Sequence, residues 1–347
     1  MLFMTRRVLF VFALGMGIFF PIDSFSGLPS NEDTQNAEVS NSSTLEAGKR
    51  LLNQQKWEQA AQVFGAYLNK EPKSAPAAVG VATALIHLGK REEALNTLVR
   101  ITLISSGRQK EFLIPKIRVL SRLFLTNKTI QIHQEGFNRM LAKNYRAAQE
   151  RFEKALAEES DNAEILLRLG QCQLLEGNFR AALEKLKMAK KVNPYEPVIS
   201  LWLGRALHQS GKLTEALEEL KVAYRELPGS EIAPLWLAET TFLAGQTRSA
   251  IHILEKDVKE WPFHLQCLTT LARLRLNSAH PDSHSLWAAR KDLQLAMSRL
   301  DQVPAEKNAQ QERELSVNLR KSPAETKGEI QRLTQIVQSR LDEISER

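Results

Sequence analysis

The sequence predicts an all-α protein built as an array of stacked helical hairpins, and residues recurring every 34 positions predict it. Gly177, Gly211 and Gly245 form one column, Ala182, Ala216 and Ala250 a second, and Pro194, Pro228 and Pro262 a third. Leu186, Leu220 and Leu254 keep the same step, as do Leu169, Leu203 and Leu237, and Gly170, Gly204 and Ala238. An internal period of this length marks an architecture in which one helical hairpin is repeated and stacked.

Each column has a physical reason. A small residue at Gly170, Gly204 or Ala238 lets the first helix of a hairpin approach its partner closely. The glycine seven residues later suits the tight turn between the two helices, because a positive φ costs it little. Ala182, Ala216 and Ala250 fill the crossing point of the second helix. Leu186, Leu220 and Leu254 lie one helical turn further on and fill the core. The proline cannot continue the second helix and so ends the repeat.

With these columns the chain resembles the tetratricopeptide-repeat family, whose 34-residue helix-turn-helix unit carries the same small, large and proline positions. Residues 163–196, 197–230 and 231–264 match closely. In 129–162, Gly136, Tyr145, Ala148, Phe152 and Ala155 fit, while Ser160 replaces the proline. In 41–74, Gly48, Trp57, Ala60, Phe64 and Pro72 fit, and in 75–108, Ala82, Gly89, Ala94 and Leu98. The stretch 265–301 begins as a repeat at Leu271 and Ala272, then carries a longer loop around His280-Pro281-Asp282 that offsets its second helix. The resemblance implies a right-handed solenoid of six to seven repeats. Residues 109–128 interrupt the series and are read as a joining helical segment between an N-terminal pair (41–108) and a main array (129–301).

The flanks follow from composition and spacing. Arg6 and Arg7 precede an apolar run from Val8 to Phe20, Pro21 ends it, and Ser24-Phe25-Ser26 offers small residues before Gly27. This is the layout of a secretory signal peptide over 1–26, with an uncleaved inner-membrane anchor as the alternative. Residues 27–43 read as a flexible spacer and 302–321 as a polar linker. Over 322–347, Ser322-Pro323-Ala324-Glu325 has the signature of a helix start. Ile330, Leu333, Val337, Leu341 and Ile344 then fall on one stripe, which suits a helix capping the end of the array.

Two cysteines, Cys172 and Cys267, lie three repeats apart in this register, too far for a disulfide, and both are expected to be buried. So few cysteines in an exported chain suit a bacterial periplasm. The net charge is +7, and +6 without residues 1–26, which does not point to nucleic acid. The charge is uneven, however. Between Leu95 and Gln134 stand Arg100, Arg108, Lys110, Lys116, Arg118, Arg122 and Lys128 against the single acid Glu111. Lys110, Lys116, Arg118 and Arg122 form its candidate basic patch, facing an acidic partner or a membrane surface, or simply water.

No reaction chemistry is legible. Gly211-Lys212 lacks the spacing and hydroxyl of a phosphate loop, with Leu213 where Ser or Thr is needed. His280 and His284 flank Asp282 without further ligands, so neither metal nor cofactor is expected. In the family, one face of each first helix contacts peptide segments. Carried onto this register, that face comprises Leu167 and Gln171, then Leu201, Arg205 and His208, then Leu235, Glu239 and Phe242. Gln171, Arg205 and Glu239 share one column, and Leu167, Leu201 and Leu235 another. Such a mixed surface suits an amphipathic helix or an extended charged peptide. The family's basic clamp for a terminal carboxylate is not evident, because leucine fills the column of the clamp lysine. The expectation is therefore a non-catalytic envelope adaptor that binds other proteins. The alternative is a structural subunit that self-associates or attaches to a membrane surface through the C-terminal helix or the basic 95–134 region.

Overall fold

The computed structural model describes residues 38–278, 282–300 and 323–345. The signal segment, most of the spacer, the linker 302–321, His280 and Pro281 lie outside the described residues. Among the described residues, every regular element is an α-helix. Seven hairpins follow one another there: α1 (Glu38–Asn53) with α2 (Trp57–Lys70), α3 (Ala75–His87) with α4 (Arg91–Ile104), α6 (Asn127–Leu141) with α7 (Tyr145–Glu158), α8 (Ala163–Leu175) with α9 (Phe179–Val192), α10 (Pro197–Gln209) with α11 (Leu213–Glu226), α12 (Ile232–Leu243) with α13 (Thr247–Glu260), and α14 (Leu265–Leu276) with α15 (Ser283–Leu300). Two helices stand outside the alternation, α5 (Gly107–Leu120) and α16 (Pro323–Ser345). The chain is an all-α tetratricopeptide-type solenoid. Helix α1 already begins at Glu38, within the residues read as spacer, and α5 occupies the first part of the joining segment.

The hairpins close on their small residues. A Cβ added to Gly204 would lie 2.6 Å from Leu220 Cγ and 3.3 Å from the Ala216 carbonyl oxygen. The same addition at Gly170 would meet Leu186 Cγ at 2.7 Å, and at Gly136 the Phe152 ring at 2.8 Å. In the first hairpins the ring of Phe64 fills both the Gly48 and the Gly80 position. Ala182, Ala216 and Ala250, with Leu186, Leu220 and Leu254, are wholly buried. Glycine and alanine thus set the distance between helices, and leucine or phenylalanine fills the space that distance leaves.

The turns repeat as strictly. Gly89, Gly177, Gly211 and Gly245 adopt φ of +74°, +84°, +73° and +80°, in the left-handed region. After α8, the Asn178 amide donates to the Gln173 carbonyl at 2.8 Å and the Gly177 amide to that of Leu174 at 3.1 Å, a paired closure of the helix end. Gln55 and Lys143 stand 34 residues before Gly89 and Gly177 and take the same conformation, φ 59° and 60°. Lys143 keeps the same bonds, its amide to Met140 at 3.0 Å and that of Asn144 to Arg139 at 2.9 Å. The turn is therefore imposed by the stack even where no glycine eases it, at a local cost of about 1 kcal/mol.

The described chain forms two compact units. One contains the residues up to Gly136 together with Glu150–Arg168 and Met188–Glu196; the other contains Phe137–Gln149, Leu169–Lys187 and the residues from Pro197 onward. In the first unit α5 packs on α4, burying Leu113, Ile117 and Leu120. A buried polar clasp holds the chain after it. Arg91, at the start of α4, pairs with Glu159 at 2.7 Å and with Asp161 at 2.5 Å, and donates to the Leu123 carbonyl. Glu159 in turn accepts the Leu125 amide at 2.8 Å. Asn162 reaches the Leu123 carbonyl at 3.2 Å, and Asn193 donates to the Ser121 hydroxyl at 2.7 Å. The clasp fastens the irregular turn that follows α5 to two later inter-helix loops.

His133, also in the first unit, lies in the column of Leu167, Leu201 and Leu235 and is as buried as a leucine there, between the rings of Phe124 and Phe152. Burial pushes its pKa down to about 4, although Glu164 opposes this. Burial would raise the Glu164 carboxyl, but Arg122 and Arg168 beside it hold it well below the usual carboxylate range.

In the second unit α10 packs on α11, α12 on α13 and α14 on α15. The loop between α14 and α15 spans 277–282 and α15 is longer than the other second helices, which gives the offset expected there. Helix α16 lies along α14 and α15, burying Ile330, Leu333, Val337 and Leu341. Arg340 fastens it to the Leu276 carbonyl at 2.7 Å. The apolar stripe of this helix thus closes the end of its own stack. Cys172 and Cys267 are both buried and form no disulfide.

Three substitutions test this packing. Gly204→Ala should lower stability by about 1–3 kcal/mol, since the added carbon meets Leu220 and backbone. Lys143→Gly should raise stability by about 1 kcal/mol by relieving the turn. Urea unfolding of the two variants checks both signs. The folded pKa of His133 lies below its unfolded value of 6.5, so its contribution is complete above that pH and is lost as pH falls toward about 4. His133→Leu should flatten this acid slope, read as the difference in urea midpoint between pH 6.5 and pH 4.

Candidate functional site

The first helices of the second unit bring together the most unusual polar group among the described residues. Arg205 projects from α10 with its guanidinium carbon 5.2 Å from the ring centre of Trp202 and 4.8 Å from that of Trp236 on α12. Trp202 and Trp236 stand 34 residues apart, so the repeat itself supplies the two rings. Arg205 Nε and Nη1 are both buried and have no hydrogen-bond partner, and neither does Trp202 Nε1. Burial pulls the Arg205 pKa down to about 10, although the charge of Glu239 opposes this. Buried donors without acceptors cost about 1–3 kcal/mol each, and in a native fold they call for an explanation.

The surroundings are ordered. His208, one turn beyond Arg205, meets the Trp236 ring edge-on at 5.1 Å. Its Nδ1 lies 2.8 Å from the Thr240 hydroxyl, which itself donates to the Trp236 carbonyl at 2.7 Å. The Thr240 oxygen is therefore the acceptor and His208 Nδ1 the donor. Glu239 does not close on Arg205. It pairs with Arg273, the next residue of its own column. The column read as Gln171, Arg205 and Glu239 thus extends to Arg273, and its one carboxylate serves the outer arginine. A guanidinium between two indoles, with two buried N–H donors left without an acceptor, has the chemistry to pair with a planar anion such as a carboxylate.

The remaining expected residues divide. Leu167 in the first unit, and Gln171 and Leu201 in the second, are buried at 3%, 0% and 1% exposure, and so do not line an open wall. Leu235 and Phe242 are half-buried against the cluster of Ala238, Leu254 and Leu271. Arg205, His208 and Glu239 are the polar members that remain partly accessible. Trp202, which is wholly buried, and Trp236 flank Arg205 and were not singled out from the sequence. Their own 34-residue spacing beside Arg205 was the available signal.

The basic stretch is less available than its charge implies. Arg118 Nε donates to the Tyr195 carbonyl at 2.8 Å, and Arg122 pairs with Glu164 at 2.8 Å. Lys116 lies over the Phe112 ring at 3.9 Å. Lys110 is exposed. Arginines that read as a surface patch are taken up in holding α5 and the turn after it within the first unit.

Comparison with known proteins agrees with the repeat geometry. Two models described as tetratricopeptide repeat match, one over residues 51–108 and 139–201 and the other over 176–231. No curated protein sequence matches the chain. Among solved structures, MamA (residue 41 to the end) from Desulfovibrio magneticus RS-1 is 16% identical, covering 50% of this chain and 98% of that one with a TM-score of 0.46. A thermophilic tetratricopeptide-repeat protein of Thermus thermophilus is 23% identical over 57% of this chain and 98% of that one, TM-score 0.43. PilW, described as a type IV pilus biogenesis factor, is 19% identical over 62% and 93%, TM-score 0.46. The helical hairpins of residues 51–108 and 139–231 are tetratricopeptide repeats.

Proposed function

We propose that this chain is a non-catalytic protein-interaction adaptor whose second unit receives a carboxylate of a partner segment at Arg205, between Trp202 and Trp236. One observation carries the reading: a buried guanidinium is held by two indoles while two of its N–H donors lack an acceptor. The carboxylate is that of an acidic side chain or of a chain end, since both offer the same bidentate acceptor. His208 and Glu239 bound the site and select against a second negative group on the Glu239 side. Half-buried Leu235 and Phe242 supply an apolar flank for the rest of a short segment. An envelope location rests on the N-terminal apolar run and its preceding arginines, and would put the partner among exported proteins.

The C-terminal helix offers a weaker route to self-association, because its apolar stripe is buried on α14 and α15. The test is an array of short acidic and neutral peptides presented to the full chain and to Arg205→Gln. Helicity by circular dichroism should be equal in the two proteins. The wild type should retain acidic peptides, and the variant should bind them roughly ten- to a hundredfold more weakly, as loss of a charged hydrogen bond implies. Equal binding of the same peptides by both proteins would remove Arg205 from the reading.

A further inference from the structure

A second polar cluster in the same unit has no part in peptide binding. Asp257 lies in the last turn of α13, His264 directly precedes α14, and Cys267 sits in its first turn. All three are buried, at 3%, 7% and 0% exposure. One ligand atom from each, a carboxylate oxygen, a ring nitrogen and a sulfur, lies within 4.8 Å of the other two. His264 Nδ1 is 2.8 Å from Asp257 Oδ2, and the Cys267 thiol donates to the Glu231 carbonyl at 3.4 Å. The backbone of Gly229 also hydrogen-bonds the imidazole, the kind of outer support that fixes a metal-bound ring.

The repeat register sharpens the point. The column of Asp257 holds Ala189 and Ala223 in the two preceding repeats, and both are wholly buried. The column of Cys267 holds Ile199 and Ala233, also buried, and that of His264 holds Glu196 and Ser230. At the Asp257 and Cys267 places packing is satisfied by alanine and isoleucine. Where one repeat passes into the next, from the end of α13 to the start of α14, the chain instead carries an oxygen, a nitrogen and a sulfur donor close together. A buried aspartate in an alanine site is costly unless it is paired or coordinates a metal.

We propose that Asp257, His264 and Cys267 form a binding site for a zinc-class divalent cation. The donor set is the mixed oxygen, nitrogen and sulfur set that Zn2+ accepts, and three protein ligands leave one tetrahedral position for water. Charge balances, since a carboxylate, a thiolate, a neutral imidazole and Zn2+ sum to zero. Binding forms the sulfur–metal bond as the thiol proton leaves to solvent, together with any proton held on His264 Nδ1. The bound ion would join the end of α13 to the start of α14. In its absence a proton shared between His264 and Asp257 makes a weaker version of the same link.

The experiment uses the full chain, stripped with chelator and titrated with Co2+ as a spectroscopic substitute. One equivalent should produce a thiolate-to-cobalt charge-transfer band, Zn2+ should bleach it, and Zn2+ should raise the melting temperature. Asp257→Ala and Cys267→Ala restore the residue type of the neighbouring repeats, so both should fold. Each should lose the band or weaken binding by more than about tenfold, and lose the Zn2+-induced rise. A wild-type chain with no band at one equivalent overturns the proposal. So does a Zn2+-induced rise that is unchanged in Cys267→Ala.

Discussion

Every hairpin depends on two helices approaching until no side chain larger than a hydrogen or a methyl fits between them. Gly136, Gly170 and Gly204 have no room for a Cβ, and Ala182, Ala216 and Ala250 are wholly enclosed. That closeness leaves a space that one leucine or phenylalanine of the second helix fills against each glycine. It also explains why the turn must be left-handed, even at Gln55 and Lys143 where the residue resists it. The stack is a packing solution repeated, and local chain preference yields to it.

What was legible in the sequence is what the repeat copies. Columns at 34-residue spacing gave the hairpins, their turns and their buried positions, because identical packing demands identical residues. What escaped is what occurs once. Arg91, Glu159, Asp161 and Asn162 are ordinary surface types, and nothing in their spacing shows that they meet beneath the turn after α5. The basic stretch misled for the same reason, since Arg118 and Arg122 find their partners far along the chain. Even the groove residues were legible only in part. The column of Arg205 and Glu239 was visible, but Gln171 and Leu201 are buried, and a residue's place in a column does not show its exposure.

Departures from a repeat are where specific chemistry collects. The tryptophan pair around Arg205 exploits the periodicity, since the same column supplies both walls from successive first helices. The group of Asp257, His264 and Cys267 breaks it where α13 passes to α14, with Asp257 and Cys267 standing in columns that the preceding repeats fill with alanine or isoleucine. A scaffold whose stability is distributed over many equivalent interfaces tolerates such local exceptions, because neighbouring hairpins continue to bury their own cores. Both features lie in the second unit.

The Arg91 clasp bears on how the protein is made. Repeats ordinarily mature as they leave the ribosome, each new hairpin needing only its predecessor. Arg91 must instead wait for Asp161, 70 residues downstream, before its charge is neutralised. Until then the nascent stretch carrying α4 and α5 holds an arginine that cannot be enclosed. Closure of the first unit is thereby deferred until the fourth hairpin has begun to emerge, and an N-terminal fragment ending earlier would be open to chaperones and proteases.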